Sequence, residues 1–201
     1  QDLYFLATPN QGAISTFVMK TSLSNFDPQT IYVIPIEINQ ITNFKIHPVT
    51  GLMYFSKENG GPYIGLNYYD PSSNQIISLV GAEVDAFCFN PSGDVFYVTG
   101  NELIEATSGN TICSATNIYN VFYNPTTSSF ILQSSTQIFT DQYFLIYNSA
   151  VGSIRDMDID YVNQKIIFNA GYTSASIDID GSNLNYNAIH QTQPTAISFE
   201  D

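Results

Sequence analysis

The sequence predicts an all-β protein, a five-bladed β-propeller whose blades are four-stranded antiparallel sheets. Two observations indicate strands. Helical periodicity is nearly missing, and apolar residues alternate in short bursts of four to six, rich in Ile, Val, Phe and Tyr. The third observation is a pattern of eight residues that recurs five times along the 201-residue chain. Its spacing is about 40 residues, the size of a four-stranded propeller blade.

The recurring pattern describes a strand that ends in a turn. In every copy the fourth and sixth residues are apolar and the seventh is polar. Because side chains alternate along a strand, the two apolar residues lie on one face. We expect each copy to be the innermost strand of one blade. The copies begin at Ile41, Val84, Ile118, Ile154 and Pro194.

A second apolar strand follows each of the first four copies after a short turn. These strands are expected at Leu52–Ser56, Val95–Thr99, Phe130–Ser134 and Ile166–Ala170. The fifth copy ends the given sequence, and the N-terminal run Leu3–Ala7 supplies the second strand that it lacks. The sequence thus predicts a ring closed by pairing the N-terminal strands with the C-terminal strand. Residues 1–201 are expected to form one domain, with blades at 194–201 plus 1–40, 41–83, 84–117, 118–153 and 154–193.

Individual copies resemble blades of known propellers. Ile154–Phe168, Ser176–Leu184 and Gln193–Ile197 resemble a low-density-lipoprotein-receptor-type blade, in which an Asp ends the first strand and an Asp-Gly-Ser turn joins the third and fourth. Phe89–Thr99 resembles a YVTN-type blade instead. The chain is therefore similar to the YWTD, NHL and YVTN-type propeller superfamily, but it has five repeats rather than six, no Trp, and Ile167–Ala170 in place of Tyr-Trp-Thr-Asp. The resemblance implies the fold and no specific ligand.

Composition excludes several classes of partner. The chain has 18 Asp and Glu against 5 Lys and Arg, a formal charge of −13. Nucleic-acid binding and adhesion to anionic membranes both require clustered cations, so neither is expected. The longest apolar runs are about five residues, whereas a membrane-spanning helix needs about 20, so membrane insertion is not expected. A hydrophobic content of 44% argues against disorder.

Composition and cysteine positions indicate where the protein is located and whether its cysteines form a disulfide. The polar surface composition with four Lys indicates an extracellular or cell-surface protein, whose signal peptide we expect to have been removed before Gln1. Cys88 and Cys113 fall on the first and fourth strands of one predicted blade. Three strand spacings separate them by about 14 Å, too far for a disulfide, so we expect two buried free thiols.

Polar residues near the start of three predicted innermost strands raise the hypothesis of a calcium site. Asn43, Asn120 and Asp156 occupy the same place in their copies, and oxygen ligands of this kind suit Ca²⁺. Ca²⁺ is therefore the one cofactor that the sequence admits, and no other is expected. The alternative, which we favour, is that Asp156 lines a hydrated channel.

Other polar residues are expected to shape turns. Asp160 shares the seventh position with His47, Asn90, Asn124 and Glu200, where side chains cap tight turns. We expect Asp178 and Asp180 to belong to the Asp-Gly turn between the third and fourth strands of their blade. The run Asn59–Pro62 is expected to form a hairpin turn.

Two tyrosine-rich regions are candidate interaction surfaces. Exposed tyrosines could contact a partner protein or stack on sugar rings, because the ring is apolar and the hydroxyl is polar. Packing between blades is the alternative that we favour. The candidates are Tyr63, Tyr68, Tyr69, Tyr143 and Tyr147.

These observations favour a non-enzymatic extracellular propeller that binds proteins or serves as a building block of a surface assembly. Outer strands such as Gln75–Val80 and Tyr143–Tyr147 could accept a partner strand. A lectin-like propeller that binds glycans is the first alternative. A glycosidase is the second, because acidic residues lie on predicted innermost strands, but three of them share one strand. The five acidic residues on predicted innermost strands are Asp85, Asp156, Asp158, Asp160 and Glu200.

Overall fold

The computed structural model describes residues 2–7, 16–22, 27–34, 40–57 and 63–189. Over these ranges nineteen strands form five antiparallel sheets, and the fold is an all-β, five-bladed propeller, as the sequence predicts. Consecutive strands pair in every sheet. The first and third turns of a sheet therefore lie at the same end of it, and the second turn lies at the other end.

Sheets one and two belong to a compact unit that spans Gln1–Val84. Sheet one has three described strands, β1 (Asp2–Ala7), β2 (Thr16–Ser22) and β3 (Gln29–Ile34). Sheet two comprises β4 (Ile41–Ile46), β5 (Met53–Lys57), β6 (Gly65–Asp70) and β7 (Gln75–Val80). The core of this unit is formed by Val18, Ile34, Met53, Phe55, Tyr69 and Ile76.

Sheets three, four and five belong to a second compact unit, Asp85–Asp201. Sheet three comprises β8 (Ala86–Phe89), β9 (Val95–Thr99), β10 (Glu102–Glu105) and β11 (Thr111–Ser114). Sheet four comprises β12 (Asn120–Asn124), β13 (Ser129–Gln133), β14 (Gln137–Thr140) and β15 (Leu145–Asn148). Sheet five comprises β16 (Ile154–Asp160), β17 (Lys165–Ala170), β18 (Thr173–Asp178) and β19 (Asn185–Ile189).

Aromatic contacts join neighbouring sheets of the second unit. The rings of Phe96 in sheet three and Phe130 in sheet four have centroids 4.6 Å apart. Tyr147 in sheet four and Phe168 in sheet five are equally close. Each pair belongs to an apolar cluster between two sheets, so burial of ring surface is a main source of stability here.

The innermost strands agree with the recurring pattern. The second strands of sheets two to five also begin within one residue of the predicted positions, because the alternating apolar residues must face the neighbouring sheets. The fifth copy of the pattern, 194–201, lies outside the described residues, and so does its expected pairing with the N-terminal strands. The predicted hairpin turn Asn59–Pro62 also lies outside them.

The last described strand of every sheet carries a β-bulge. In each case one residue of that strand has no partner on the adjacent strand, which twists and disrupts the edge. The unpaired residues are Ile31, Leu79, Ile112, Ile146 and Asn187. Gln75–Val80 is a terminal strand as expected, and the other expected one begins at Leu145 rather than Tyr143. Tyr143 has a φ of 63° and its N–H donates to the Thr140 carbonyl, so it lies in a turn.

Candidate functional site

The three candidate calcium ligands lie on the innermost strands of sheets two, four and five. Asn120 and Asp156 lie in the second unit, and the side-chain oxygen of each accepts a hydrogen bond of 3.0 Å from the next backbone N–H. Asn43 lies in the first unit. Asn43 and Asp156 both follow a β-bulge in the innermost strand. In the described part of the chain no group of three or more His, Cys, Asp or Glu side chains could hold a metal ion, and calcium binding stays a prediction.

The polar residue at the seventh position caps a turn in the four described copies, which confirms the prediction for them. The side chains of His47, Asn90, Asn124 and Asp160 each accept a hydrogen bond from a backbone N–H two to four residues later. Glu200 lies outside the described residues. The donors are the amides of Val49, Asp94, Thr126 and Asn163, at 3.2, 2.8, 3.0 and 2.9 Å.

Asp178 and Asp180 organise the third turn of sheet five, as expected. Asp178 forms an ion pair of 2.5 Å with Lys165 and accepts a bond of 2.6 Å from the Asn183 amide. Asp180 accepts bonds from the backbone N–H and the hydroxyl of Ser182, at 2.9 and 2.6 Å. The pKa of Asp178 is lowered chiefly by Asn183 and then by Lys165, and the pKa of Asp180 is lowered chiefly by Ser182. Both side chains therefore stay ionised at neutral pH.

The acidic side chains of the innermost strands are also engaged with backbone. Asp158 accepts a bond of 2.8 Å from the following amide, as Asp156 does, and Asp85 accepts one of 2.9 Å from Gly100. The hydrogen bonds from Asn163 lower the pKa of Asp160. A glycosidase needs one carboxyl with a raised pKa, and Asp160 has the opposite shift.

The five candidate tyrosines divide by burial. Tyr69 and Tyr147 are buried, and Tyr68 is half-buried and stacks on Tyr54 with ring centroids 5.2 Å apart. Tyr63 and Tyr143 are exposed, and both occupy turns with positive φ. Packing thus accounts for three of the five, and two present their rings to solvent.

Tyr143 belongs to an exposed apolar run that sequence reasoning recognised only in part. Tyr143, Phe144 and Leu145 are consecutive and retain 62%, 57% and 50% of their surface in solvent. The hydroxyl of Tyr143 donates to the carbonyl of Ser114 on β11 at 3.0 Å and accepts from the Ser114 N–H at 3.4 Å. The missed signal was three large apolar residues directly after the polar turn residues Asp141 and Gln142.

Clefts lie on both sides of this run. The first, which we call the Phe144 cleft, has a volume of about 390 Å³ and is lined by turn and strand residues of sheets four and five. A second cleft of about 320 Å³ shares Asn124, Thr127, Ile179 and Asp180 with it and extends to Asp178. Tyr143 and Leu145 line a third cleft of about 320 Å³ beside the end of sheet three. The Phe144 cleft is lined by Asn124, Thr127, Ser129, Ile131, Thr140, Gln142, Phe144, Ile179 and Asp180.

The two cysteines are buried free thiols, as predicted from their positions on the first and fourth strands of sheet three. Burial, assisted by the nearby Asp141 carboxylate, raises the pKa of Cys113 to about 11. The thiol is thus kept protonated at neutral pH, which makes it a poor nucleophile. Cys113 behaves as a small apolar side chain within the cluster between sheets three and four.

The five sheets place the chain in the class of β-propellers, and solved structures share its fold. A chain from the crystal structure of a nidogen/laminin complex superposes with a TM-score of 0.71, covering 98% of this chain and 81% of that chain at 9% identity. A chain of Kuenenia stuttgartiensis hydrazine synthase superposes with a TM-score of 0.57, covering 77% of this chain and 51% of that chain at 10% identity. At such identities the likeness shows the fold alone.

Sequence comparison adds no relative. No family model matches the chain, and no curated protein matches it. In the described ranges there is no helix with the length and hydropathy required to cross a membrane.

Proposed function

We propose that this chain is a non-enzymatic propeller that binds other proteins outside the cell or at the cell surface. The observation that carries the proposal is the exposed run Tyr143–Leu145 on the third turn of sheet four. Contiguous exposed apolar side chains are unfavourable in water and often mark a surface that a partner covers. The chain's likeness to one from a nidogen/laminin complex is consistent with a role in protein binding.

Two further observations support the proposal. The acidic side chains expected of a glycosidase at Asp85, Asp156 and Asp158 accept hydrogen bonds from backbone amides, which favours a structural role for them. The extracellular placement rests on composition, because the surface is acidic and polar and the whole chain has four Lys.

A variant in which the apolar run is made polar tests the proposal. The wild type, a Phe144→Ser/Leu145→Ser double variant and a Tyr172→Ser control are immobilised and exposed to surface proteins of the source cells. Tyr172 is a good control because it is 54% exposed and lies on the second turn of sheet five, at the end opposite the first and third turns. Specific proteins should be retained by the wild type and by Tyr172→Ser but lost by the double variant.

Two results would contradict the proposal. Retention of the same proteins by all three chains would show that the apolar run contributes nothing to binding. Specific hits on a glycan array that survive in the double variant would favour the lectin-like alternative.

A further inference from the structure

A partner strand is not expected to pair with the outer edges of these sheets. The last strand of each described sheet carries a bulge, and a bulged edge pairs badly with an incoming strand. In sheet three the hydroxyl of Tyr143 also occupies both backbone groups of Ser114 at the end of β11. A partner is therefore expected to contact side chains at the turns rather than to extend a sheet.

The Phe144 cleft combines an apolar wall with a carboxylate at its border. Phe144 and Ile179 contribute the accessible apolar surface, because Ile131 behind them is fully buried, and Asp180 lines the same cleft. The adjoining cleft shares Ile179 and Asp180 and adds Asp178. An apolar side chain and a positive charge close to it would both find a complementary group here.

The charge balance of the second unit favours a basic occupant. Residues 85–201 contain 12 Asp and Glu against 2 Lys and Arg. One of the two cations, Lys165, is already paired with Asp178. Both bonds that Asp180 accepts from Ser182 reach one carboxylate oxygen, Oδ1. A cation brought by a partner would thus meet a surface of strongly negative potential.

The same balance argues against a second copy of this chain as the occupant. Two copies joined at this surface would bring together two units that each carry a formal charge of −10 over residues 85–201. Like charges at close range oppose association. A partner of opposite charge has no such penalty.

We infer that the Phe144 cleft receives a segment of a partner protein in which a bulky apolar residue stands within two positions of a Lys or Arg. The apolar side chain contacts Phe144 and Ile179, and the cation pairs with Asp180. This inference rests on the proposed function and specifies the chemistry of the partner.

A displayed library of random heptapeptides, selected on the full chain with counter-selection on Phe144→Ser, tests the inference. The enriched peptides should combine Phe, Leu, Ile or Trp with a nearby Lys or Arg. Their affinity should fall about tenfold or more in Phe144→Ser, as for a central apolar contact, and about threefold in Asp180→Asn, as for a partly exposed ion pair. Asp94→Asn in sheet three is the control for the change of net charge, and Tyr172→Ser is the control for loss of an exposed ring; both should retain affinity within about twofold.

Each other outcome overturns a defined part of the argument. Enriched peptides that need Phe144 but lack basic residues would overturn the partner chemistry and leave the proposed function standing. Peptides that bind Phe144→Ser as tightly as the wild type, or no enrichment at all, would overturn the site together with the proposed function. Self-association of the wild type that Phe144→Ser abolishes in sedimentation would identify a second copy as the occupant and overturn the inference.

Discussion

The third turns of sheets three and four connect equivalent strands but differ sharply in polarity. In sheet three the turn Ala106–Asn110 is polar, and the Glu105 carboxylate accepts a bond of 2.7 Å from the Ser108 hydroxyl. In sheet four the turn exposes Tyr143 and Phe144 instead.

Both turns satisfy their backbone groups locally. The N–H groups of Glu105 and Gly109 bond to the carbonyls of Asn110 and Glu105 in the first turn. In the second, the N–H of Thr140 bonds to the Phe144 carbonyl, and the N–H of Phe144 bonds to the Thr140 hydroxyl. The backbone geometry of such a turn therefore does not require apolar side chains, and the exposed rings of sheet four call for a reason other than folding.

The largest effect is expected from the side chain beneath the apolar turn, not from the turn itself. Phe139 is 7% exposed and packs in the cluster between sheets three and four. Replacing Phe139 with Ala should lower the free energy of unfolding by about 3–5 kcal/mol, because it leaves a cavity. Replacing Phe144 with Ala should change it by about 0.5 kcal/mol or less. Chemical denaturation of both variants measures the difference, and equal losses would show that Phe144 is a structural residue.

A smaller difference is expected between the acidic residues that begin the two turns. The Asp141 carboxylate accepts a partly buried bond of 3.1 Å from the Phe130 N–H, whereas the bond from Ser108 to Glu105 is exposed. Asp141→Ala should therefore cost about 1–2 kcal/mol of unfolding free energy, and Glu105→Ala about 0.5 kcal/mol or less. Denaturation midpoints check this pair of values. Equal losses of unfolding free energy in the Glu105 and Asp141 variants would contradict the expected difference between the two turns.

The hydroxyl of Tyr143 links the two sheets and should contribute less again. Tyr143→Phe keeps the ring and removes both hydrogen bonds to Ser114. We expect a loss of about 0.5–1.5 kcal/mol and faster hydrogen exchange at the Ser114 amide. Unchanged exchange at Ser114 would show that the hydroxyl does not hold the end of β11.

The smallest effect concerns the ionisation of Cys113, which lies on β11 near Asp141. Its pKa of about 11 lies above the ordinary value of 9.0 for a cysteine thiol, so the folded state favours the neutral thiol. The stabilisation that this thiol provides is present below pH 9 and is lost as the pH rises towards 11. Alkylation of the native protein, followed by mass spectrometry over this range, should give an apparent midpoint near 11. The midpoint should fall in Asp141→Asn, and a midpoint that stays in place would exclude Asp141 as a contributor.

The turn positions show how far the sequence alone could lead. His47, Asn90, Asn124 and Asp160 are predictable as turn caps, because the bond from a short polar side chain to a nearby amide is decided within a few residues. The alternation of apolar residues predicts the strands for the same reason, since pairing the wrong register would expose the apolar face. The placing of both cysteines as separate buried thiols follows from strand order alone.

The surface that we propose for partner binding could not be predicted in this way. Tyr147 and Tyr143 are four positions apart and equally apolar, yet one packs against Phe168 and the other lies in solvent. The bulge at Ile146 belongs to the pairing of β15 with β14, which no local pattern encodes. The Phe144 cleft likewise exists because turns of sheets four and five that are far apart in the chain adjoin. Sequence by itself determined the strands, the turn caps and the excess of negative charge, which are local or additive properties. The tertiary structure decided which side chains meet and which remain exposed, because exposure depends on neighbours that are distant in the chain.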